Sequence, residues 1–281
     1  MRLYGQGGYI FLGDARPVGL FDSGVGGLTV LQEILRQLPK ESTIYFGDNA
    51  HVPYGSRTTE ELIGLAYNII SFLVAQKVKY IIFACNTNSS ISLPVLGKYF
   101  PVPMVGLIKS GAQEAVKATK NHRIGVIATA ATIKNGAYAR EIKAASPQAA
   151  VFSQAAPKLV PIVENGKIKT AEAFQATREY VKPLKEAGID TLIFGCSHYP
   201  FLSHEFTAAL GPDIKLVDPA TATVMKAREE MQKLNLLNNP IPQNSPTHRF
   251  YVSGNPHKFQ ELASCLWNHP MPEVEQVSLE K

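Results

Sequence analysis

Short apolar runs alternate with longer stretches of helical period along this chain. Val18–Phe21, Thr43–Phe46, Tyr80–Ala84, Met104–Leu107, Ile124–Ala128, Thr191–Phe194 and Lys215–Val217 read as strands. Runs of this length, apolar at successive positions, suit strands covered on both faces of a parallel sheet. Between them, Leu28, Leu31, Leu35 and Leu38 fall at helical spacing and Pro39 follows as a stop. Thr58 and Glu61 form a capping-box pattern ahead of Leu62, Leu65, Ile69 and Leu73. Ala173, Tyr180 and Leu184 mark a later helix that Pro183 is expected to bend or end. Asn239–Pro246, with three prolines, reads as a linker to a last strand, Arg249–Val252, and a helix around Lys258–Leu266. The alternation predicts an α/β fold with mostly parallel sheet.

The pattern also echoes itself. Pro17 to Ser23 parallels Arg123 to Thr129, with Val18 and Ile124 offset by 106 positions. Tyr80 to Thr87 parallels Thr191 to His198, offset by 111. Each half therefore carries a strand ending in a small hydroxyl residue and, later, a strand ending in cysteine. Two α/β halves from one duplicated unit would account for this.

Composition narrows the class. The chain has 281 residues, 45% hydrophobic and 18% charged, enough apolar content for a sizeable core. No unbroken apolar run reaches the roughly 18 residues of a spanning helix, so no membrane role is expected. The net charge of +5 comes from scattered Lys and Arg with no basic stripe among aromatics, which argues against nucleic acid as a partner. Three cysteines argue against a disulfide scaffold and for a reducing compartment. Gly5, Gly7, Gly8 and Gly13 break the amino-terminal apolar stretch, so residues 1–16 read as a flexible extension rather than a signal peptide, and the protein as cytoplasmic.

Asp22, Cys85 and Cys196 all fall at predicted strand ends, where open parallel sheets bind ligands. A lone cysteine is usually a small buried hydrophobe. Here two sit at equivalent positions, each followed by polar residues: Asn86 and Thr87 in one half, Ser197 and His198 in the other. One thiolate can remove a proton while an opposite thiol donates one, which inverts a stereocentre and requires no cofactor. Asp22 and His198 are candidates to hold a neighbouring thiol in the right protonation state, although Asp22 or Ser23 could instead cap a helix and His198 could simply pack under the Tyr199-Pro200 turn. Gly24-Val25-Gly26-Gly27 lacks both the dinucleotide spacing and a P-loop lysine, and reads as a tight turn and a seat for a substrate carboxylate. Cys85, Cys196, His198 and Cys265 lack the paired spacing of a zinc site, so no metal is expected. Cys265, on a terminal helix, is expected to be structural.

The blocks Phe21–Leu28, Tyr45–Asp48, Val52–Gly55, Ala84–Thr87 and Gly195–Pro200 resemble the signature blocks of the glutamate racemases. The likeness runs from about Pro17 to Phe259. It implies cofactor-independent interconversion of L- and D-glutamate, supplying D-glutamate for peptidoglycan. It implies Cys85 and Cys196 as the acid/base pair, Cys85 working on the D-enantiomer and Cys196 on the L-enantiomer. Asp22, Ser23, Tyr54, Gly55, Asn86, Thr87, Ser197 and His198 match substrate-binding positions; Asp22, His198 and Glu164 match groups that assist the thiols. The implied fold is two similar doubly wound α/β domains with the active site in the cleft between them. Residues 17–108 and 212–281 would form the first domain, residues 109–211 the second, with 1–16 as an extension. Asn49 and His51 stand where Thr and Arg are expected, Ser197 replaces the commoner Thr, and Lys109-Ser110 replaces Glu-Pro. A homodimer is the default expectation, twofold assemblies being commonest.

Two other classes remain open on the residues alone: a hydrolase or lyase using a single cysteine, and a two-lobed amino-acid-binding module. Neither needs paired thiols at equivalent strand ends.

Overall fold

The computed structural model describes residues 2–5, 8–11, 13–239, 245–267 and 271–279. Its strands are β1 (Arg2–Gly5), β2 (Gly8–Phe11), β3 (Val18–Asp22), β4 (Thr43–Gly47), β5 (Tyr80–Phe83), β6 (Met104–Gly106), β7 (Arg123–Ala128), β8 (Ala150–Ala155), β9 (Thr191–Gly195), β10 (Lys215–Val217), β11 (His248–Val252) and β12 (Val274–Gln276). The helices are α1 (Leu28–Gln37), α2 (Thr59–Ala75), α3 (Asn86–Ile91), α4 (Leu93–Leu96), α5 (Leu107–Ala118), α6 (Ala130–Asn135), α7 (Ala137–Ala145), α8 (Leu159–Glu164), α9 (Ala171–Glu186), α10 (Ser203–Leu210), α11 (Pro219–Lys233) and α12 (Pro256–Trp267).

Two all-parallel sheets organise these elements into two α/β domains. One has the order β12-β11-β4-β3-β5-β6 and the other β10-β9-β7-β8. The run β4-β3-β5-β6 and the run β8-β7-β9-β10 follow one plan, with the second strand of the unit outside the first and the third beside it. The sequence echo is thus matched by an echo in topology. In both sheets the order reverses between the first and third strands, β3 and β5 or β7 and β9, and such a reversal opens a crevice beyond the strand ends.

The central strands are buried on both faces, and their side chains alternate between two cores. Leu20 and Ile82 point into one core while Phe21, Ile81 and Phe83 point into the other. The first of these cores also takes Ile127, Leu192, Phe194 and Phe206 from the second domain, so apolar packing is continuous between the domains. The chain crosses from β6 straight into α5, and it returns through α11, which packs on both α5 and α1.

Several details differ from the sequence reading. Residues 2–11 are not a plain extension: β1 and β2 pair antiparallel, with Gly5 opposite Gly8, as expected of a Tyr- and Ile-bearing segment broken by glycines. Buried Lys79 ties the next segment down, donating to the carbonyl of Asp14 while paired with Glu41 at 2.5 Å. The boundary expected at 211/212 falls too early, because Lys215–Val217 pairs with Thr191–Ile193 and so belongs to the second sheet. Helix α9 continues through Pro183 to Glu186, and both Pro183 and Glu179, the residue four positions before it, are exposed. Residues 240–244 of the expected linker lie outside the described residues. Among the described residues, no helix is long and apolar enough to cross a membrane.

Candidate active site

Both switch points open on one cavity between the domains. Ser23, Tyr54, Gly55, Cys85, Asn86 and Thr87 line it from the first domain, and Thr129, Val160, Cys196, Ser197 and His198 from the second. Its volume is about 10 Å³, room for about one water molecule. The domains are therefore closed on each other. A cavity of about 500 Å³ lies elsewhere, where α3, α5, α7 and α11 meet beside Lys109 and Arg140, and contains neither thiol. Size does not mark the chemistry here.

Cys85 follows β5 and stands immediately before the first turn of α3. Burial, with Asp22 nearby, pushes its thiol well above the ordinary cysteine range, against the backbone N–H groups of Asn88 and Thr87 that pull it down. Cys196 follows β9 and is served differently. His198 Nδ1 lies 3.7 Å from its sulfur, and His198 Nε2 lies 2.6 Å from Glu164 Oε1. Burial disfavours a charged imidazole, but the hydrogen bonds to Cys196 and Glu164 outweigh it and hold His198 well above the usual histidine range. His198 is thus held toward its charged form, between a sulfur on one side and a carboxylate on the other.

Asp22 and Glu164 stand behind the cavity wall. Asp22 Oδ2 accepts from the Ser197 hydroxyl at 2.7 Å across the domain boundary, and Oδ1 accepts from Gly24 N–H at 3.0 Å. Burial raises the Asp22 carboxyl, although the His198 charge and these two hydrogen bonds oppose the shift. Asp22 does not cap α1, whose cap residue is Gly27 with no side-chain partner. His198 is not merely packed under the Tyr199 turn.

The glycine loop corrects its sequence reading. Its Val25 N–H donates to Glu164 Oε1 at 3.0 Å, so the carboxylate seated there belongs to the protein. A Cβ on Gly24 would stand 2.0 Å from Glu164 Oε1, and one on Gly26 would stand 2.5 Å from both His198 Nδ1 and Ser197 Oγ. These glycines are needed so that the first domain can close onto the His198–Glu164 pair.

Sequence reasoning missed Thr129, Thr132 and Val160. Thr129 and Thr132 form a triangle of hydroxyls with Thr87, each pair 3.0–3.1 Å apart, again across the cleft. The echo held the signal for Thr129, which is the counterpart of Ser23. Tyr54 donates to buried Asp48, which also accepts from Ser253 at 2.6 Å and lies 2.7 Å from His51 Nδ1. His51 and Asn49, the two departures in that block, thus serve local loops, Asn49 by accepting from Gly254 N–H. Cys265 is exposed on α12, away from the cavity and from any core, which corrects its structural reading.

The sequence profile of the Asp/Glu/hydantoin racemases matches residues 19–227, which take in both thiols, the whole second sheet and four strands of the first. The chain belongs to that family. Among racemases similar to it, the glutamate racemase of Desulforudis audaxviator is 52% identical over 92% of this chain and 96% of the relative. That of Synechocystis is 43% identical over 93% and 92%. Among solved structures, the Bacillus anthracis glutamate racemase isoform RacE1 superposes with a TM-score of 0.88 at 35% identity, covering 94% of this chain and 97% of that one. The Francisella tularensis glutamate racemase in complex with D-glutamate superposes with a TM-score of 0.87 at 34% identity, covering 95% and 99%.

Proposed function

We propose that this racemase interconverts L- and D-glutamate by passing the α-proton between Cys85 and Cys196. The observation that carries the reading is the placement of two free thiols on one closed cavity, one from each domain, at matching strand ends. A substrate held between them meets a base on one face of Cα and an acid on the other.

In the L-to-D direction the Cys196 thiolate, paired with imidazolium His198, takes the α-proton, and the Cys85 thiol delivers its own proton to the opposite face. The reverse direction exchanges the roles. The α-proton is hard to remove because the adjacent carboxylate is already electron-rich. Donors that bind the carboxylates therefore lower the barrier as well as orient substrate. Asn86, Thr87, Ser23 and Gly55 offer such N–H and O–H groups, and Ser197, Tyr54 and His198 offer backbone N–H groups, their side-chain protons being held by Asp22, Asp48, Cys196 and Glu164. Glu164 keeps the His198 proton in place, and Asp22 acts through Ser197 and through its field on Cys85. Both half-reactions are proton transfers, so the thiols suffice without a cofactor. The chain's similarity to proteins named glutamate racemase, one of them solved with D-glutamate, supports glutamate over aspartate. We assign the protein to the cytoplasm, as a homodimer that supplies D-glutamate for peptidoglycan.

The test is racemisation of L-glutamate in heavy water, followed by circular dichroism and mass spectrometry. D-Glutamate should carry deuterium at Cα from its first appearance while unreacted L-glutamate stays nearly unlabelled. No decay of the dichroism from either enantiomer overturns the glutamate reading. Retention of the substrate's own proton in the product overturns the two-thiol mechanism.

A further inference from the structure

Tyr138 belongs to the second domain, at the start of α7, yet its hydroxyl serves the first. The ring is buried in the second domain's core with Ile108, Ala112, Val126 and Ile142. The hydroxyl leaves that core and donates to Asn86 Oδ1 at 2.6 Å. A phenylalanine would fill the same space, so only the oxygen accounts for a tyrosine here. Asn86 directly follows Cys85 and lines the cavity.

We infer that Tyr138 is a positioning residue that sets which end of the Asn86 amide faces the substrate. An amide oxygen only accepts and an amide nitrogen only donates, so the two orientations of the group are opposites to a carboxylate. With Oδ1 held by the phenol, the NH₂ group is the end left to face the cavity, where it meets an anion. The flipped amide would turn its oxygen on that anion. The phenol is a dependable donor, because burial, together with the fields of Asp218 and Cys196, holds it protonated far above neutrality. The bond also crosses the cleft. The amide is fully oriented only when the domains are closed, which couples closure to carboxylate recognition beside Cys85.

The inference rests on the reading that the cavity takes an amino-acid carboxylate. Tyr138→Phe removes one oxygen and should raise KM for both enantiomers about tenfold and lower kcat by less than that, because the Asn86 donor is kept and only the bias of its amide is lost. Asn86→Ala should raise KM at least as much, and adding Tyr138→Phe to it should change nothing beyond about twofold. Asn86→Asp, which keeps one oxygen for Tyr138 and turns another on the substrate, should raise KM more than Asn86→Ala does. This comparison leaves Tyr138 unaltered, so it stands if Tyr138→Phe fails to fold. Thermal stabilisation by saturating D-glutamate gives the same ranking without turnover. An unchanged KM in Tyr138→Phe, losses that multiply in the double variant, or a milder effect of Asn86→Asp than of Asn86→Ala overturns the inference. If the wild type neither racemises glutamate nor is stabilised by it, the glutamate reading has failed. If it does both and the coupling is absent, this inference alone has failed.

Discussion

Cys85 and Cys196 occupy the same place in two sheets of the same strand order, but their surroundings are built from different materials. The first domain gives its thiol the backbone amides of α3 and a buried carboxylate, Asp22. The second gives its thiol a histidine backed by a glutamate. Amides can stabilise a thiolate but cannot store a proton, whereas His198 can. One plan of strands has therefore been fitted with two ways of managing a proton. Under the proposed mechanism this divides the work, with His198 holding a proton beside Cys196 while burial favours the neutral thiol at Cys85.

The broadest challenge to this comparison is to delete each thiol. Cys85→Ser and Cys196→Ser should each lose racemisation by about a thousandfold or more, because every turnover uses both groups. The loss in kcat/KM must be equal in the two directions, since the two enantiomers have equal energy. Cys265→Ser should stay within about twofold of wild type in the same dichroism assay, being exposed on α12. A fully active Cys196→Ser would end the two-thiol account.

Glu164→Gln sharpens the contrast by touching one thiol's support alone. It should cost about ten- to a hundredfold in kcat/KM at pH 8. It should also move the alkaline limb of the pH–rate profile to lower pH, because His198 loses a group that raises its pKa and deprotonates sooner. An unmoved alkaline limb would separate His198 from the reaction.

The pH dependence of iodoacetamide labelling reads the other thiol. In Cys265→Ser, peptide mass spectrometry should place the midpoint for Cys85 above the roughly 8.5 of a free thiol, as burial requires. A midpoint below that value would overturn the reading of Cys85 as the thiol raised by burial.

The smallest expected effect is on stability. A folded-state pKa raised above the unfolded value makes the His198 contribution full below about pH 6.5, and the contribution fades as pH rises through the folded value. The melting temperature of wild type should therefore exceed that of His198→Asn by a few degrees more at pH 6 than at pH 9. A gap that widens with pH would mean that His198 is buried neutral.

The strands that hold the site were legible because they are central. Four or more buried positions in a row leave a plain apolar run, as in Tyr80–Phe83 and Thr191–Gly195. The edge strands β8 and β12 were not, since the exposed edge admits Ser153, Gln154 and Glu275 and the run dissolves. The chemistry at strand ends was legible for the same topological reason. What sequence concealed was partnership across the cleft. Nothing local says that Val25 N–H meets Glu164, that Ser197 meets Asp22, or that the phenol of Tyr138 meets Asn86, because closure alone creates these contacts. Thr132 and Val160 were invisible for that reason, and the loop glycines were legible as a turn but not as clearance for a histidine.

The cavity of about 10 Å³ has a kinetic meaning for anything that binds there. A molecule larger than water enters only during an excursion in which the domains part, so admission is metered by the frequency of opening and is the same for every small entrant. If one molecule in a hundred is open, apparent affinities are weakened about a hundredfold, whatever the contacts made afterwards. Discrimination is then exercised on the way out, by how long each guest keeps the door from reopening. A substitution that loosens only the empty closed state would speed the admission of every small entrant alike, and of none in particular.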